Sequence, residues 1–120
     1  MKANELRIGN WVYLCYPDGK KAVEVKELSK NFVNGFGISG IEPIPINEDW
    51  LTVGLGFKKV MKKKDFTTYS IDRFGIRVSV YNAGFNILRV NNKSFESVHQ
   101  LQNLYFALTG TELELKNGKN

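Results

Sequence analysis

A chain of 120 residues with a formal charge of +5 has room for one domain and not for a second. Hydrophobic residues at 42%, charged residues at 24%, and eight Phe, five Tyr and two Trp exclude intrinsic disorder and match an ordinary globular protein. The single cysteine excludes an internal disulfide framework, and no apolar run reaches the roughly 18 residues of a membrane span. The opening "MKANELRIGN" lacks the hydrophobic run of a signal peptide, so the cytoplasm is the expected setting.

"WVYLCY" (11–16), rich in aromatic and β-branched residues, predicts a strand in which Cys15 is a buried thiol. "PDGK" (17–20) has turn residues, and "KAVEVKEL" (21–28) alternates like a half-buried second strand. A third strand is predicted near 31–38, through Phe32, Val33, Phe36 and Ile38. Short strands joined by tight turns predict a small, strongly bent, SH3-like antiparallel set over 1–46.

"GFGISG" (35–40) matches the spacing of the dinucleotide-binding fingerprint. That fingerprint needs a helix directly after it to meet the pyrophosphate, and Pro43 and Pro45 forbid one here. The glycines are therefore assigned to a turn and a strand bend, and "EPIPI" (42–46) to an extended connector.

"NEDWLTVGLG" (47–56) predicts a short helix with Asn47 as N-cap, Gly54 or Gly56 as the stop, and Trp50, Leu51 and Leu55 as anchors. From 57 to 91, "DFTTYSID", "GIRVSVYN" and "GFNILRVN" predict a three-stranded meander with Ile76, Val78 and Val80 on one face. The closing helix, 97–110, starts on a Ser97/Gln100 capping box and stops at Gly110. "TELEL" (111–115) could add an edge strand, and 116–120 reads as a frayed tail.

At 100° per residue, Val98, Leu101, Leu104, Tyr105 and Leu108 form the core face of that helix. The opposite face carries His99, Gln102, Asn103 and Phe106, with no formal charge while His99 is neutral. Such a composition suits a protein partner or a homodimer packed across a two-fold; it equally suits burial inside the monomer, with the amides bonding loop backbone.

Lys58, Lys59, Lys62, Lys63 and Lys64 crowd into "FKKVMKKKDF", and without them no net charge remains. With Phe57, Phe66 and Tyr69 interleaved, they could grip a phosphate backbone while an aromatic stacks a base. In a solvated loop they would need no partner, and on an edge strand they would serve to discourage aggregation.

His99, the one histidine, is the natural candidate for acid–base chemistry, with Ser94, Ser97, Asp65 and Asp72 as residues that could converge on it. Nothing in their spacing requires that, and Ser97 already has a capping role. One histidine and one cysteine, far apart, form no metal cluster, so neither a metal nor a cofactor is expected.

"ELRIGNWVY" (5–13), "EPIPINEDWLTVGLGF" (42–57) and "VHQLQNLYFALTGTELEL" (98–115) resemble a family of small uncharacterised proteins of gut anaerobic bacteria, their bacteriophages and mobile elements. The resemblance is weakest over 58–97. It implies an accessory product of a phage or mobile element, with no catalytic residues to carry over.

The expected protein is thus a single α+β domain: SH3-like strands, a short middle helix, a meander, and an amphipathic C-terminal helix on the sheet. Its expected role is a non-enzymatic interaction module working through His99, Gln102, Asn103 and Phe106. A nucleic-acid-binding module using Lys58, Lys59, Lys62, Lys63 and Lys64 is the alternative. The third possibility is a small-ligand protein with a pocket near the glycine-bent strands.

Overall fold

In a computed structural model describing residues 3–71, 76–82, 86–90, 93–95 and 97–114, the chain is α+β, with strands in antiparallel sheets and one α-helix. Strand β1 (Trp11–Tyr16) pairs on one side with β2 (Gly19–Glu24) and, later, on the other with β5 (Ile41–Glu42). The second strand stops at Glu24, before the predicted end at residue 28. Val25 turns inward, fully buried, and its carbonyl accepts the Gly9 N–H.

The predicted strand near 31–38 is instead a two-residue hairpin, β3 (Phe32–Val33) with β4 (Phe36–Gly37). Asn34 and Gly35 have positive φ, 52° and 84°, the backbone that lets an Asn-Gly turn reverse two strands sharply. The Asn34 side chain accepts N–H groups from Lys26 and Glu27 and so fixes the hairpin to the preceding loop. The five N-terminal strands divide between a three-stranded sheet and this hairpin.

The predicted middle helix is present but short: it opens with Leu51 N–H bonded to Asn47 O and closes as a π-helix over Trp50–Gly54, where Leu55 N–H bonds to Trp50 O. Asn47 caps it as expected, accepting the Trp50 N–H at 2.9 Å. Thr52 Oγ1 donates to the Glu48 carbonyl, competing with the regular ladder, and Gly56, at φ 83°, ends the turn. Leu51 and Leu55 are fully buried, and Trp50 meets Trp11 with ring centroids 6.1 Å apart.

The meander has five strands, not three: β6 (Lys58–Lys62), β7 (Phe66–Ile71), β8 (Ile76–Asn82), β9 (Asn86–Val90) and β10 (Lys93–Phe95) in consecutive order. Val78 and Val80 enter the core with Tyr69, while the side chain of Ile76 is outside the described residues. Thr68 and Ser79, directly opposite each other, pair their hydroxyls at 3.1 Å.

Helix α1 (Val98–Thr109) starts and stops where predicted. Ser97 N–H donates to Gln100 Oε1, and Gly110, at φ 74°, donates to Phe106 O. Val98, Leu101 and Tyr105 are buried and Leu104 packs on the core, but Leu108, expected on the core face, is 43% exposed. Residues 111–114 form no strand; Leu113 is instead a buried plug, and the predicted tail at 116–120 lies outside the described residues.

Candidate interaction surfaces

The second face of α1 faces inward. Gln102 is 2% exposed and makes three bonds to backbone. Its Oε1 accepts the Trp11 N–H at 2.8 Å, while Nε2 donates to Gly9 O and Leu113 O, each at 3.0 Å. Asn103, half-buried, accepts from Asn10 Nδ2 at 2.9 Å and donates to Glu5 O at 3.0 Å. Both amides thus satisfy backbone groups of Glu5, Gly9, Trp11 and Leu113.

His99 is also enclosed, at 3% exposure. Of the four residues assigned to a partner surface (His99, Gln102, Asn103 and Phe106), only Phe106 is exposed, and the Arg7 guanidinium covers its ring 3.9 Å from the centroid. Arg7 in turn pairs with Glu112. Three of the four are spent inside the monomer, so the expected docking face does not exist as a surface. Strand periodicity and the helical wheel show which residues share a face, not what covers it. The available signal was the "IGN" turn, whose backbone groups needed partners.

Ser97 Oγ lies 3.1 Å from His99 Nδ1, the composition of a nucleophile beside a base. Both are buried, neither lines a described cavity, and His99 Nε2 has no partner among the described residues. Asp65 is exposed in the turn before β7, and Asp72 lies outside the described residues.

Burial lowers the His99 pKa from its ordinary 6.5, with the Glu5 charge opposing that shift. A lowered folded-state pKa means that below pH 6.5 the unfolded chain binds the proton first. Stability is therefore expected to be full above pH 6.5, to decline as pH falls, and to level off below the folded-state pKa. Urea titrations at about pH 7.5 and about pH 5 should show this decline, and His99→Gln should flatten it. An unaltered slope in that variant would assign the acid sensitivity to other groups.

The lysine run is the edge strand of the five-stranded sheet. All five residues of β6 are exposed, as are Lys63 and Lys64 in the turn that follows. Register places Lys58 opposite Ser70, and Lys59 opposite Tyr69. The register shifts between Lys59 and Met61, so Val60 forms an irregularity that breaks the edge. Lys59 pairs with Glu48 at 3.3 Å; Glu48 also accepts the Tyr69 hydroxyl at 3.0 Å. That hydrogen bond, followed by Lys59, holds the Glu48 carboxyl below its usual range. Burial, followed by Glu48, pushes the Tyr69 hydroxyl up to about 12. Among the described residues, Lys58, Lys62, Lys63 and Lys64 have no ion-pair partner.

The glycines of "GFGISG" do not form a phosphate cradle. Gly37 is extended, Ile38–Gly40 is a single 3₁₀ turn, and a Cβ on Gly35, Gly37 or Gly40 would meet nothing within 4 Å. Cys15 is half-buried rather than fully buried, and burial, followed by the Glu42 charge, raises its pKa, so it rests as a thiol.

Among the described residues, no three His, Cys, Asp or Glu side chains are grouped to hold a metal ion. Nor, among them, is any helix long and apolar enough to cross a membrane. No family model matches the chain, and searches of the curated proteins and of the solved structures return no match.

Proposed function

We propose that this protein is a non-enzymatic binding module that holds nucleic acid along β6 through its phosphate backbone. The observation that supports this reading is the row of exposed lysines on a sheet edge, only one of them ion-paired among the described residues. At roughly 3.3 Å per residue, Lys58 to Lys62 covers about 13 Å, the rise of about four nucleotides of one strand, and Lys63 and Lys64 add charge in the turn at its end. Charge at this density neutralises phosphates without reading sequence. The lysine run lies in 58–97, where the family resemblance is weakest, so the grip is proposed for this chain and not as a role shared by that family.

Fluorescence anisotropy with short single-stranded and duplex oligonucleotides tests the proposal. With the four lysines that have no ion-pair partner among the described residues engaged, log affinity should fall against log salt with a slope of about −3 to −4. The K58E/K62E/K63E/K64E variant should lose at least about tenfold in affinity at low salt. Absent or salt-independent binding would overturn the proposal. So would a variant that merely aggregates while the parent binds nothing, since the lysines would then serve only to protect the edge.

A further inference from the structure

We infer that a second site, away from β6, takes a small organic anion with an apolar body. A cavity of about 580 Å³ opens between the 3₁₀ turn Ala3–Glu5, the loop 28–31, and Ile38. That volume lies within the roughly 300–1,000 Å³ of small-molecule sites. Its walls are locked by backbone bonds: Ile38 N–H to Asn31 O at 2.8 Å, Ser29 N–H to Phe32 O at 3.0 Å, and the bridge from Leu28 to Val33. The side of the site built from 28 to 38 is therefore formed before any ligand arrives.

The lining decides the ligand class. Ala3, Leu28 and Ile38 supply the apolar surface; Asn4, Ser29 and Asn31 supply amide and hydroxyl groups at the rim. Among the described residues of the lining, Lys30 is the one ionisable side chain, and none is a carboxylate that could balance it. A cationic ligand would meet an uncompensated like charge, and a neutral apolar one would leave Lys30 unused. An anion such as a carboxylate, sulfonate or phosphate, on an aromatic or branched skeleton, satisfies both parts. The glycine-rich stretch thus shapes a pocket wall through Ile38, by way of a turn, without binding phosphate through its own backbone.

Anilinonaphthalene sulfonate is a suitable probe, having an apolar body and one fixed negative charge. Titrated into the full chain, it should bind saturably and shift the backbone amide resonances of Asn4, Leu28–Asn31 and Ile38. Lys30→Glu, with an unchanged melting temperature, should weaken binding about fivefold to tenfold, as expected for an exposed ion pair replaced by a repulsion. Leu28→Asp should weaken it through the apolar wall while leaving β6 untouched. Shifts centred on Val60 and Met61, unsaturable binding, or an affinity unmoved by Lys30→Glu would each overturn the site. Because oligonucleotide binding is read on other residues, either site can fail without the other.

Discussion

Replacing Gln102 with leucine should lower the unfolding free energy by about 3–5 kcal/mol, although the side-chain volume is kept. The substitution leaves the Trp11 N–H and the carbonyls of Gly9 and Leu113 without their partner in a site that is 2% exposed. Each buried group left unsatisfied costs about 1–3 kcal/mol, discounted here because water reaches the edges of the loop. Gln102→Glu is the sharper probe. It retains the acceptor for Trp11 but turns an oxygen towards two carbonyls, so it should be at least as damaging near neutral pH and partly recover in acid, where the carboxyl can donate. Phe106→Ala, on the same side of the helix but exposed, should cost far less. The urea midpoints of the three variants decide this. A Gln102→Leu protein within about 1 kcal/mol of the parent would mean that the clip contributes little.

The same residue marks where sequence reasoning reached its limit. Local chemistry was legible: Ser97 and Gln100 start α1, Gly110 stops it, Asn47 caps the central turn, and strand signals place three of the five meander strands, β7, β8 and β9. These signals act over a few residues, and their physics is contained in the quoted stretch. What covers the second face of α1 lies about 90 residues away, in the segment from Glu5 to Trp11, and no periodicity encodes that return. An uncharged amide-rich face is the same string of letters whether another protein or the chain's own N-terminus satisfies it. The π-helical turn was missed for a related reason. Thr52, Val53 and Gly54 weaken the helix, but only the tertiary position of Leu51 and Leu55 sets how the turn closes. The lysine run was legible only as solvated, in a loop or on an edge strand; Lys58, Lys59 and Lys62 lie on the edge strand, and Lys63 and Lys64 in the turn after it.

Leu101→Ala should cost about 2–5 kcal/mol, a large share of the roughly 5–15 kcal/mol that holds a domain together. Leu101 is fully buried in the cluster that joins α1 to the five-stranded sheet and the central turn. The N-terminal strands have a core of their own, formed by Leu6, Val12, Leu14, Val25, Val33 and Ile41. Strand β1 belongs to both: Val12 and Leu14 point into the small core, while Trp11 and Tyr13 pack against the large one. The Gln102 bonds cross at the same place. Loosening the large core should therefore weaken the small one, and the variant should unfold in a single transition at lower denaturant. Trp11 and Trp50 touch at this junction, so their fluorescence reports the boundary while far-UV circular dichroism reports the whole chain. Coincident curves are the expected result. Curves that separate would show that the N-terminal strands survive loss of the large core, and that β1 does not transmit it.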